Sequence, residues 1–192
     1  MKTFTFRYAL SITIKSLALA ALFLSFNTIT QAVGILDRTF GANGRAATTV
    51  GSGAQSKAVA IQPDGKIIVA GDVLRSGTNR DVVLVRYNSN GTLDTNFGDG
   101  GKVFAAISPG ADNARDIALA PDGKIVIVGS IQTPDPVMNT DFFVARFTAN
   151  GGLDTNFANN GVAIINQGSN DDFYAVTVQA DGKIVTVGRT SD

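Results

Sequence analysis

The chain has 192 residues, with 16 basic and 16 acidic side chains and neither cysteine nor histidine. Without those two residue types it cannot build a Ser-His-Asp triad, a Cys-His dyad or the usual kind of zinc site, and it forms no disulfide. Every acidic residue is Asp, a poor helix former, so the composition points away from helices beyond the N-terminal segment.

In chain order, Lys2, Arg7 and Lys15 precede an apolar run over 16–26 and a polar stretch over 27–31 that ends at Ala32. This is the order of a secretory signal peptide, and cleavage is expected after Ala32, leaving 33–192 as the mature region. A membrane anchor starting near Tyr8 competes with that reading. A span needs about 20 residues with few charges, however, and Lys15 interrupts this one. Three of the 16 basic residues go with the leader, so 13 face 16 acidic ones in the mature region. That balance gives nucleic acid and anionic bilayers nothing to be drawn to. The mature protein is therefore expected in the medium, at the cell surface or in the periplasm, free of membrane and nucleic acid.

The mature region is repetitive. Gln62-Pro-Asp-Gly-Lys66 returns as Ala120-Pro-Asp-Gly-Lys124 and Gln179-Ala-Asp-Gly-Lys183, each between two apolar, β-branched runs. Pro presets one turn position, Asp bonds the backbone ahead and Gly accepts positive φ, so each copy predicts a β-hairpin. A second marker is Asp81-Val-Val-Leu-Val-Arg-Tyr, matched by Asp141-Phe-Phe-Val-Ala-Arg-Phe. A third is Leu-Asp-x-x-Phe, at Leu36, Leu93 and Leu153, with Asn-Gly pairs before the last two. The markers recur every 57–60 residues, and a fixed period with three independent markers signals a repeat protein.

Four short strands fit one period: two around the Pro-Asp-Gly turn, one over 82–87 and one near 102–106. Four strands per unit with no room for a helix predict an all-β, propeller-like stack of blades. Near-continuous apolar runs such as Ile67-Ile-Val-Ala70 suit blades covered on both faces. Leu93 and Phe97 are expected as core anchors, with Asp94 bonding amides of its turn. Arg86 and Arg146 are expected to pair with a repeat Asp or to cover an aromatic ring. Two full units and two part-units make an incomplete propeller, and the expectation is an N-terminal piece of a longer protein; residues 36–50 could otherwise supply a closing motif. Self-association through open sheet edges is the other way to cover them.

No residue is assigned as catalytic, cofactor-binding or metal-binding. No Gly-Lys pair completes a P-loop, and Gly51-Ser-Gly53 lacks the third glycine of a dinucleotide fingerprint. Asp112, Asp135, Asp171 and Asp172 stand outside the recognised repeat markers and are the carboxylates open to acid–base work or calcium. Asp171 and Asp172 are adjacent, so on a strand they point to opposite faces. The run from Asn88 to Asp94 loosely resembles a calcium loop but lacks its ligand spacing and reads as a turn; its Asn90-Gly-Thr92 also matches a glycosylation sequon.

Together the Pro-Asp-Gly-Lys hairpin, the Asp-initiated strand ending Arg-Tyr or Arg-Phe, and Asn-Gly-x-Leu-Asp-x-x-Phe-Gly resemble the delta-60 repeat family, a bacterial, β-propeller-like repeat. Ala180 in place of Pro, Ala158 in place of Gly and the shortened last unit depart from its pattern. The resemblance implies an exported or surface protein and carries over no cofactor and no catalytic residue. The function expected is a non-enzymatic scaffold binding a protein or glycan through the variable stretches 73–80 and 131–140. An extracellular glycan hydrolase or lyase using Asp171 and Asp172, or a truncated product without a function of its own, are the alternatives.

Overall fold

The computed structural model describes residues 36–77, 79–133, 139–167 and 170–191. The expected signal peptide and Asp135 lie outside them. The described chain is all-β, and among the described residues no helix is long and apolar enough to cross a membrane.

Ten strands follow one another as repeated antiparallel meanders. The first blade is β1 (Gln55–Ile61), β2 (Ile67–Ser76), β3 (Asn79–Tyr87) and β4 (Lys102–Ala105), hydrogen-bonded in that order. The second repeats it with β5 (Asp112–Leu119), β6 (Ile125–Gln132), β7 (Thr140–Phe147) and β8 (Val162–Ile165). The third begins with the hairpin of β9 (Asn170–Val178) and β10 (Ile184–Ser191). One parallel pair, Thr140 with Asn170, ties β7 to β9. These are the four-stranded units expected of an incomplete β-propeller-like repeat fold.

Each Pro-Asp-Gly turn closes alike. Gly65 N–H donates to the Gln62 carbonyl at 2.9 Å, and Lys66 N–H donates to Asp64 Oδ1 at 3.1 Å. The third copy has Ala180 where the others have Pro and makes the same closure, with Gly182 N–H to the Gln179 carbonyl at 2.9 Å. Proline pre-organises this turn without being needed for its bonds.

Alternation along each strand divides side chains between two neighbours. Ile68, Ala70, Val82 and Leu84 pack with Ile125, Ile127, Phe143 and Ala145 between the first two blades. The intervening residues of the second blade, Val126, Val128, Phe142 and Val144, pack against Phe173, Val176, Val178 and Ile184 of the third. Phe142 and Phe173 stack there with centroids 3.9 Å apart. An apolar residue is therefore required at every position, which accounts for the unbroken runs. Residues 36–50 form no strand; Ala46 and Val50 pack on the other face of the first blade, beside Val83, Val85 and Tyr87. Gly41 N–H bonds the Asn90 carbonyl at 2.7 Å, as Gly98 N–H bonds the Asn150 carbonyl at 3.0 Å. The first Leu-Asp segment thus stands toward the first blade as the second stands toward the next.

The hairpins also carry a feature that turn chemistry does not predict. The pairing register slips between Ser56 and Ala58, between Ala114 and Asp116, and between Val187 and Gly188. Lys57, Arg115 and Tyr174 are the extra residues of three β-bulges. Opposite them lie Gly71, Gly129 and Gly188; a Cβ at Gly129 would sit 1.9 Å from the Asn113 carbonyl oxygen. The glycine closing each apolar run is there because the bulged strand presses onto it.

Candidate functional site

The blades have two unlike ends. At the turn end, the repeated residues are used up in repeated networks. Arg86 Nε donates to Asp94 Oδ2 at 2.8 Å, its guanidinium lies 4.4 Å from the Phe97 ring centre, and its Nη1 reaches the Ala149 carbonyl of the next blade at 2.7 Å. Lys66 Nζ, from the Pro-Asp-Gly-Lys turn, stands 3.0 Å from Asp94 Oδ2. Arg146, Asp154, Phe157 and Lys124 repeat the arrangement at 2.8 Å, 4.5 Å and 3.7 Å. Burial works against ionisation of Asp94, but Lys66, the Asn96 N–H and Arg86 outweigh it and hold the carboxyl below its usual range. Arginine thus does both things expected of it, pairing with Asp and covering the ring. Lysine is a partner that sequence reasoning missed; its recurrence after the Asp-Gly of all three hairpin turns was the available signal.

Asn90 Oδ1 accepts from Thr92 N–H at 3.0 Å and from its hydroxyl at 2.7 Å, so the run from Asn88 to Asp94 folds as a turn around its own oxygens. A cleft of about 270 Å³ opens at this end between the second and third blades, beside Asp122, Arg146 and Asp181. Its carboxylates bond their own turns: Asp122 Oδ2 accepts from Lys124 Nζ at 2.5 Å, and Asp181 Oδ2 from Lys183. Little polar capacity remains there for a ligand.

The opposite end holds the β2–β3 and β6–β7 tips and the segments leading into β5 and β9, and there the repeats diverge. The stretch 73–80 is less of a loop than expected, because residues 73–76 continue β2 and 79–80 begin β3. Val73 and Ile131 are core residues, 1% and 2% exposed. Only the outermost residues of each hairpin are free to vary. Of the second stretch, 134–138 fall outside the described residues.

This end concentrates buried carboxylates. Asp72, Asp112 and Asp171 are fully buried, and Asp141 is 6% exposed. Asp112 accepts from Ile107 N–H at 2.7 Å, Ser108 N–H at 3.1 Å and the Ser108 hydroxyl at 2.6 Å. Burial nevertheless raises its carboxyl above the usual range; these donors offset part of that and the nearby Asp81 adds to it. Asp171 does the same work one repeat on, accepting from Gln167 N–H at 2.6 Å. Asp112 and Asp171, set apart above from the repeat markers, are therefore a repeat position of their own, 59 residues apart. The signal was their equal distance ahead of the second and third turns, at Pro121 and Ala180; the first turn has Ala54 at that place.

Asp171 and Asp172 do not converge. Asp171 turns inward beside Asp141, whereas Asp172 Oδ1 and Oδ2 accept from Arg115 at 3.0 and 2.8 Å. The bulge at Arg115 aims its guanidinium across to the next blade. Nearby, Asp116 Oδ2 accepts from Val176 N–H at 2.8 Å. Among the described residues no three carboxylates gather as a ready metal centre.

Two stretches, 62–97 and 120–157, match the family described as Domain of unknown function (DUF5122) beta-propeller. Each runs from a Pro-Asp-Gly turn through two strands to the phenylalanine of Leu-Asp-x-x-Phe, so each covers part of one repeat. No curated protein matches the chain. Fold and match agree that this is a β-propeller-like repeat protein, similar in its two complete units to a propeller family whose description assigns it no activity.

Proposed function

We propose that the chain is an exported, non-enzymatic repeat scaffold of the delta-60 type that binds a protein or glycan through its hairpin tips. The observation that carries this reading is the contrast between the two ends. At the turn end, Lys66, Arg86, Asp94 and Phe97 and their copies are committed to packing. At the other, Leu74-Arg-Ser-Gly-Thr-Asn-Arg80 is replaced by Gln132-Thr-Pro-Asp-Pro-Val-Met-Asn-Thr140 on the same frame. Variable tips on a rigid scaffold are where recognition is usually placed. The delta-60 motifs and the expected leader support export. The rival, a glycan hydrolase or lyase built on Asp171 and Asp172, loses its geometry because Arg115 engages the second carboxylate on the opposite side.

The test replaces 77–78 and 134–138, which spares Arg75 and Asn139, with two-residue Asn-Gly turns and measures binding of the chain to glycan arrays, extracellular matrix and cells. Lost binding at an unchanged melting temperature supports the reading. Binding that survives both exchanges refutes the assignment to the tips.

A further inference from the structure

We propose that Asp141 and Asp171, with the Asn139 side-chain carbonyl, form a calcium site at the junction of the second and third blades. The pairing of Thr140 with Asn170 sets Asp141 and Asp171 side by side at the start of neighbouring parallel strands. Laterally adjacent residues on paired strands send their side chains to the same face. Asp141 Oδ1 and Asp171 Oδ1 are both buried and have no hydrogen-bond partner among the described residues, and Asn139 Oδ1, two positions before Asp141, is equally unpartnered. Two carboxylates close together in a buried place cannot both remain ionised without a countercharge. Burial, and then the charge of Asp171, push the Asp141 carboxyl above its usual range.

The first repeat shows how the same frame is neutralised when the protein supplies the cation itself. Asp81, equivalent to Asp141, has Arg75 Nε at 3.3 Å, and Arg75 also lies over the Phe104 ring at 5.1 Å. Asp72, on the adjoining strand β2, bonds Arg80 and has Lys57 Nζ at 3.9 Å. One repeat on, Thr133 stands for Arg75, Thr140 for Arg80, Ser130 for Asp72 and Ile164 for Phe104. Arg80 is lost together with its partner Asp72, but Arg75 is lost while the carboxylate it faced is kept, as Asp141. Among the described residues, no lysine or arginine lies within ion-pair distance of Asp141 or Asp171. Three oxygen donors of carboxylate and amide type, with water completing the shell, suit a hard cation; Ca²⁺ tolerates an irregular oxygen shell where Mg²⁺ demands near-octahedral order. The proposal is independent of the ligand reading above, because it needs no partner at the tips.

The test uses the full chain, stripped with chelator, then titrated with CaCl₂ alone up to about 10 mM, ten times the weak limit of extracellular calcium modules. Calorimetry and the thermal midpoint are read together, with MgCl₂ and matched NaCl as controls. Expected is a single binding event with a dissociation constant of about 10⁻⁴–10⁻³ M and a midpoint rising by several degrees. Thr133→Arg, which returns the arginine of the first repeat, should raise the calcium-free midpoint and abolish both the heat and the calcium-dependent rise. Asp171→Asn should abolish the heat as well, while Asp81→Asn should leave it intact. Absence of any calcium heat or midpoint shift in the unaltered chain overturns the proposal. A calcium response that persists in Thr133→Arg and Asp171→Asn overturns it too, by placing the ion elsewhere.

Discussion

Asp94 and Asp154 occupy one repeat position in two degrees of enclosure, which makes their contribution measurable. The Arg86 side chain is 7% exposed and has Lys66 assisting at 3.0 Å, whereas the Arg146 side chain is 23% exposed and Lys124 stands at 3.7 Å. Removing one partner of a buried ion pair leaves an uncompensated charge, at a cost of about 3–5 kcal/mol, while a more solvated pair loses less. Asp94→Ala should therefore lower the urea-unfolding free energy by about 3–5 kcal/mol, and Asp154→Ala by clearly less. The sign of the pH dependence follows from the depressed carboxyl of Asp94. A group ionised more readily in the fold than in the unfolded chain adds stability that is complete above about pH 4 and lost as pH falls through its folded value. Asp94→Asn should accordingly flatten the acid limb of the stability profile, and an unchanged limb would place the acid sensitivity in other carboxylates.

At the scale of elements, the segment after each Leu-Asp-x-x-Phe turns through left-handed backbone. Gly41 and Gly98 take φ of 54°, and Ala158 takes 43° at the same place. A Cβ in that region costs about 1 kcal/mol that glycine does not pay. Ala158→Gly should raise stability by about 0.5–1 kcal/mol, less the entropy glycine adds to the unfolded chain; a loss would mean the alanine methyl packs better than its backbone is strained. Local chemistry of this kind is what made the fold legible. Turn residues, β-branched runs and a 57–60 residue period carry most of the architecture, because each element is specified by its own few residues. The bulges at Lys57, Arg115 and Tyr174 were hidden, since a bulge depends on how one strand meets another. So was the partnership of Lys66 with Asp94, 28 residues away. Asp141 was legible as a marker residue and Asp171 was set outside the markers; that the two meet comes only through the parallel contact between blades, which no short motif encodes.

Across the whole molecule, stability is a chain of nearest-neighbour contacts, as expected when every blade touches only the blades beside it. The same repeat position therefore changes its worth with its place in the stack. Val126 and Val128 are fully buried against the third blade, while their counterparts Val185 and Val187 on β10 are 42% and 59% exposed. On the first blade Val59 and Ile61 are likewise 62% and 69% exposed, whereas Ile117, the counterpart of Val59, is 7% exposed. Truncating a buried valine to alanine loses transfer free energy and opens a cavity, together about 2 kcal/mol. The change at an exposed site stays within about 0.5 kcal/mol. Val126→Ala should therefore cost about 2 kcal/mol in urea unfolding and Val185→Ala close to nothing, although both remove the same atoms from the same register position. Equal costs would mean that the β10 face is covered in solution by another blade-like surface. The Val185 effect would then vary with protein concentration if that surface came from a second copy.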